Sequence, residues 1–181
     1  MRKTQYIVLL ALIVLAAAAG AQSATLTIAT STSVPTVDGV VAAKEYGAVL
    51  DLTRVKISMA RSADALSMAI STPTTGWVAI GLGSSRMADA TILIGYVADG
   101  KLQLKFQRGS GHGHSDITSD ALLASAGKEE GGTTTIELKL KSSAFIAKDQ
   151  KELVGIVAIG NADSFFAMHS FRAPWTAKLA D

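Results

Sequence analysis

Two histidines one residue apart are the first feature with chemical potential. In Gly111-His112-Gly113-His114-Ser115-Asp116, an extended loop would point both imidazoles the same way. Such a pair suits copper or zinc, which imidazole binds readily. The sequence offers no evident third protein ligand, and the segment also reads as a glycine-spaced surface loop. The third histidine, His169, stands in Phe165-Phe166-Ala167-Met168-His169-Ser170-Phe171, among aromatic residues. Trp77 and Trp175 are candidates for a sugar platform, although Trp77 lies in a run that reads as buried. Gly81-Leu82-Gly83-Ser84-Ser85-Arg86 lacks the third glycine and the following helix of a nucleotide loop. Asp89 and Asp163 form no obvious acid/base pair, and no Ser-His-Asp spacing stands out, so the expectation is a protein that is not an enzyme. The chain has no cysteine. That excludes a disulfide scaffold, a thiol nucleophile, a Cys zinc site, an iron–sulfur cluster and covalently attached c-type haem.

The elements that must position these residues read as strands. Val55, Ile57 and Met59 alternate with polar neighbours, as do Leu66, Met68 and Ile70, and then Leu102, Leu104 and Phe106. Ile136, Leu138 and Leu140 repeat the pattern. This period of two marks half-buried strands and places Met59 and Met68 in the core. Trp77–Leu82, Thr91–Val97 and Leu153–Ile159 are apolar on both faces and read as central strands. Asp99-Gly100 is a strong hairpin signal, because this pair accepts the positive φ angles of a tight turn. Gly131-Gly132 and Pro73-Thr74-Thr75-Gly76 separate further strands. Helical turns are expected at most at Ala42–Tyr46, Ser119–Ala126 and Ser142–Ala147. The expected fold is all-β: a two-sheet antiparallel β-sandwich, immunoglobulin-like, of about nine to ten strands.

Residues 1–21 read as a secretory signal peptide. Arg2 and Lys3 precede an unbroken apolar run from Tyr6 to Ala19, and Ala19-Gly20-Ala21 offers a cleavage site. A cut after Ala24 is the alternative. The run is shorter than the roughly 20 residues of a spanning helix. Removing it takes away two basic residues and leaves 15 basic and 15 acidic ones, so the net charge of +2 becomes zero. A nucleic-acid partner, which needs a basic surplus, loses its support. The expectation is one exported domain, residues 22–181, periplasmic or extracellular.

Three blocks carry a family resemblance. Gly76-Trp77-Val78-Ala79-Ile80-Gly81-Leu82-Gly83, Met87-Ala88-Asp89-Ala90 and Ile94-Gly95-Tyr96-Val97-Ala98-Asp99-Gly100 together resemble the DOMON domain family. Val37-Asp38-Gly39-Val40 with Glu45-Tyr46 looks like the opening of DOMON-like and family-9 carbohydrate-binding-like sandwiches. The resemblance implies a β-sandwich that binds b-type haem or a sugar. Haem-binding members look like the cytochrome domain of cellobiose dehydrogenase, with one Met and one His as axial ligands. Met87 and His169 match those positions.

The residue chemistry is compatible. Haem b needs no thioether bond, and Met/His ligation is a cytochrome pairing that raises the reduction potential. If 165–171 is extended, Phe165, Ala167, His169 and Phe171 share one face and Met168 points away, which disfavours Met168 as a partner of His169 and is compatible with Met87, the match that the resemblance implies. Arg86 and Arg172 flank the two positions and suit haem propionates. Trp77 and Phe171 complete the expected cofactor-binding set. The implied chemistry is one-electron transfer or redox sensing with a separate redox partner protein. A carbohydrate- or small-ligand-binding sandwich without haem is the alternative.

Overall fold

The computed structural model describes residues 24–181; the expected signal segment lies outside the described residues. Alternating apolar residues become strands at β1 (Ala24–Ala29), β2 (Ala48–Asp51), β3 (Lys56–Arg61), β4 (Ala65–Thr72), β5 (Val78–Leu82) and β6 (Thr91–Ala98). They continue at β7 (Lys101–Ser110), β8 (Gly113–Asp116), β9 (Leu122–Glu130), β10 (Thr133–Lys141), β11 (Glu152–Gly160) and β12 (His169–Ala180). The described residues thus form twelve strands, not nine or ten. β9 replaces the helical turn expected at Ser119–Ala126. Its small residues give little strand signal, and pairing with β10 across Gly131-Gly132 decides its conformation. Of the three expected helical turns, only Ser142–Ala144 forms a short 3-10 helix.

The strands make a sandwich. One sheet runs β1-β12-β11-β5-β6-β7-β8 and the other β2-β3-β4-β10-β9. Pairing is antiparallel except that β1 lies parallel to β12. The three runs apolar on both faces are β11, β5 and β6, adjacent strands at the middle of the larger sheet. Asp99 and Gly100 both have positive φ, 50° and 71°, as a type I′ hairpin between β6 and β7 requires.

Val78, Ile80, Leu82, Leu93, Val157 and Ile159 face inward and meet Ile57, Met59, Leu66, Met68 and Ile70 of the smaller sheet. Each such buried side chain contributes about 1.5–3 kcal/mol through water-excluded apolar surface. Trp175 is 0% exposed in this core, and its Nε1–H has no hydrogen-bond partner. It therefore offers no sugar platform, because strand alternation turns it toward the opposite sheet.

The opening motif covers the outer face of the smaller sheet. The buried Glu137 carboxylate accepts the backbone N–H groups of Asp38 (2.9 Å) and Gly39 (2.7 Å) and the Tyr46 hydroxyl (2.6 Å). Glu45 accepts the N–H groups of Thr36 and Ala42, both at 2.8 Å. The motif is thus a clasp for the N-terminal segment. Burial, reinforced by the hydrogen bond to Glu137, pushes the Tyr46 phenol well above its ordinary pKa.

Candidate functional site

The outward face of the larger sheet is also apolar. Ala79, Gly81, Ile92 and Ile94 lie there, joined by Ile156 and Ala158. Two transverse rows follow from the register: Arg172, Ala158, Ala79, Ile94 and Lys105, and beside it Ile156, Gly81, Ile92, Gln107 and Asp116. Alanine and glycine at the middle of these rows leave room above the sheet. The result is a cavity of about 510 Å³, within the range of small-molecule sites. The double-sided apolar pattern of β5, β6 and β11 thus has two causes, the inter-sheet core on one face and this cavity on the other.

Three connections wall the cavity. The first, between β5 and β6, brings Met87. It is fixed to β7: Asp89 N–H donates to the Gly109 carbonyl, and Gly109 N–H to the Ala90 carbonyl, both at 3.0 Å. Asp89 takes a positive φ of 64°, which aspartate tolerates better than most residues. A Cβ at Gly109 would overlap the Met87 carbonyl, so only glycine permits this approach.

The second is the β7–β8 hairpin, which brings His112 and His114 to the same cavity. Asp116 holds it down by accepting from Gln107 Nε2 (2.7 Å) and Lys105 Nζ (2.6 Å). These two hydrogen bonds, Gln107's first, hold the Asp116 carboxyl below the usual carboxylate range. Gln107 is only 5% exposed and lines the cavity; its Oε1 has no hydrogen-bond partner.

The third is the segment from Asn161 to Met168. Trp77 Nε1 donates to the Ala167 carbonyl at 3.1 Å. Phe165 stacks on Tyr96, with ring centroids 4.8 Å apart, and Lys105 Nζ lies 5.1 Å from its ring centre. Phe166 (93% exposed) and Met168 (81% exposed) also line the opening.

Met87, His169, Trp77 and Arg172 therefore meet at one cavity. Arg86 and Phe171 are not among its lining residues. Arg86 is exposed on the Met87 connection. Phe171 packs against the inter-sheet core, with Arg54 over its ring at 5.6 Å. The alternation expected across 165–171 fails for two reasons. The strand begins only at His169. Moreover, Gly160 pairs with His169 while Ile159 pairs with Phe171, so Ser170 is an extra residue in the register. This bulge reverses the alternation. It sets His169 and Arg172 on the cavity side and Phe171 on the core side. Ser170 Oγ is satisfied by Asn161 Oδ1 at 2.9 Å. Met168, expected to point away, lines the cavity because its segment is not extended. Sequence reasoning missed Gln107 and Tyr96 as parts of this site. The alternation of β6 and β7, read in register across Asp99-Gly100, was the available signal for both.

The donor set fits haem b. An imidazole and a thioether on separate elements share one mainly apolar cavity, an exposed arginine also lines it, and no thiol is needed. Among the described residues no three His, Asp or Glu side chains group as a metal site, so the two histidines of the hairpin lack a third ligand of that kind.

Fold and site together define a β-sandwich with a mainly apolar cavity on the outer face of its larger sheet. The chain belongs to the DOMON domain family, whose model matches residues 51–152. Among solved structures, it is similar to the cytochrome domain of Myriococcum thermophilum cellobiose dehydrogenase. That match has 12% identity and a TM-score of 0.54, covering 72% of this chain and 80% of that one. It is also similar to the cytochrome b domain of pyranose dehydrogenase from Coprinopsis cinerea, at 13% identity and a TM-score of 0.52, covering 67% and 75%. A family 9 carbohydrate binding module from Caldicellulosiruptor kristjanssonii, in complex with cellotriose, matches at 10% identity and a TM-score of 0.50, covering 86% and 93%. These likenesses describe the fold. No curated protein sequence matches the chain. Among the described residues no helix is long and apolar enough to cross a membrane.

Proposed function

We propose that this DOMON domain binds haem b, with Met87 and His169 as axial ligands, and serves in one-electron transfer or redox sensing. The observation that carries the proposal is the presence of these two donors, from separate elements, at one apolar cavity. When bound, haem b supplies a reversible one-electron couple, which Met/His ligation tunes upward. Met87 and His169 would hold the iron from two separate elements. Ala79, Gly81 and Ala158 leave space over the sheet, and Ile92, Ile94 and Phe165 exclude water. Arg172 suits a propionate carboxylate. In this reading residues 1–21 direct export, residues 22–181 act as one domain, and a separate protein exchanges the electron.

A second reading, carbohydrate binding without haem, rests on the unpartnered Gln107 Oε1 at the cavity. That acceptor suits a sugar hydroxyl, and a buried acceptor left unpaired costs about 1–3 kcal/mol. Absorption spectroscopy separates the two. Haem b added to the purified full chain should give a shifted Soret band that saturates at one equivalent. Met87→Leu and His169→Ala should each change the axial-ligand spectrum and lower haem retention. A folded protein with no Soret shift and no saturable uptake rejects the haem proposal. Saturable binding of cellotriose by that colourless protein would establish the second reading.

A further inference from the structure

Met168 shares the cavity with His112 and His114. The imidazoles arrive on the β7–β8 hairpin and the thioether on the segment before β12, from opposite sequence neighbourhoods. All three side chains are exposed, as is that of His169. Met59 and Met68 are wholly buried in the core. Met168, at 81% exposure, leaves its side chain in solvent at the cavity that His112 and His114 also line. In sequence the His-x-His pair lacks a third donor; the fold brings one.

The chemistry of the set is selective. No carboxylate lines the cavity. Calcium and magnesium need several oxygen ligands, and Gln107 Oε1 is the one side-chain oxygen lining it. Zinc takes thiolate, imidazole and carboxylate, and the described residues group no three donors of those types. Two imidazole nitrogens with one thioether sulfur are a soft, uncharged set of the kind that favours Cu(I). Arg172, the one cationic side chain lining the cavity, stands on the sheet beside Ala158 and not on either loop.

We propose that His112, His114 and Met168 bind one Cu(I) ion at this cavity. The bound ion ties the hairpin to the segment before β12. The proposed donor set includes neither Met87 nor His169.

The test is titration of the purified full chain with Cu(I) under anaerobic reducing conditions, in competition with a chromogenic Cu(I) chelator. The wild type should withdraw one equivalent. Met168→Leu, His112→Ala and His114→Ala should each weaken uptake by about tenfold or more. Their thermal unfolding should match the wild type, since all three residues are exposed. X-ray absorption of the wild-type complex should show one sulfur with nitrogen neighbours, a readout independent of any variant. Absence of stoichiometric uptake overturns the proposal. So does uptake that survives all three substitutions, a copper site without sulfur, or uptake abolished by Met87→Leu alone. The last result would place the ion at Met87.

Discussion

The Trp77 indole donates its Nε1–H to the Ala167 carbonyl at 3.1 Å, tying the edge of β5 to the segment that leads into His169. One buried side chain thereby sets the height of a cavity wall above the sheet. Trp77→Phe keeps most of the apolar contact and removes the donor. Unfolding free energy should fall by about 0.5–1.5 kcal/mol, and amide exchange should accelerate over residues 161–168 before the rest of the sandwich. Haem retention should fall with it. Unchanged exchange in that segment would show that the bond does not hold the wall.

Gly109 should be intolerant of alanine. The added Cβ would overlap the Met87 carbonyl, so the connection bearing Met87 must move. Overpacking of this kind costs about 1–3 kcal/mol. Gly109→Ala should lower ligand affinity more than Gly47→Ala. A Cβ at Gly47 meets nothing nearby and its φ is not positive, so the second variant controls for altered backbone freedom. Equal affinities in the two variants would contradict this account.

Tyr46 should contribute to the alkaline stability profile through its bond to Glu137. Tyr46→Phe leaves one carboxylate oxygen of Glu137 without its 2.6 Å donor, at a cost of about 1–3 kcal/mol. The phenol's pKa is raised in the folded state, so its contribution is complete below the ordinary tyrosine value of 10.0 and declines as pH rises above it. Denaturant midpoints should therefore drop above about pH 10 for the wild type. Tyr46→Phe, already weaker at neutral pH, should lose less over the same interval.

Asp116 should act at the other end of the scale. Its carboxyl is held below the ordinary value of 3.8, so its contribution is present above that value and is lost as pH falls below it. Because the group is exposed, the effect should be local: the β7–β8 hairpin opens in acid while the inter-sheet core persists. Asp116→Asn should give the acid behaviour at neutral pH. Amide exchange at Gly113–Asp116, followed against pH, checks both.

Trp175→Phe should separate packing from binding. The residue lies wholly in the inter-sheet core, so the substitution should change stability and leave affinity for haem or cellotriose unaltered. A selective loss of cellotriose binding would contradict the core position of this side chain.

The sheet architecture was largely legible in the sequence. Alternation in 55–59, 66–70, 102–106 and 136–140 reports half-buried strands directly, because successive strand residues face opposite sides. Asp99-Gly100 marks its hairpin for an equally local reason. β9 escaped because Ala124, Ser125, Ala126 and Gly127 have weak strand preference and take their conformation from β10. The parallel pairing of β1 with β12 joins opposite ends of the described chain, a relation no local pattern encodes.

The candidate site divides the same way. The sequence by itself determined the identities of the donors, the absence of thiols, the small residues Ala79, Gly81 and Ala158, and the strands that would carry them. It also marked His112 and His114 as a pair. Only the tertiary structure decided which donors meet. One unpaired residue, Ser170, shifts the register between Ile159 and Gly160 and turns His169 to the cavity while Phe171 goes to the core. The bend before β12 carries Met168 to the cavity instead of away from it. Strand alternation is a property of neighbouring residues and is readable from them. A bulge arises from pairing with a distant strand, so the face a side chain occupies beyond it is settled only when the sheet is assembled.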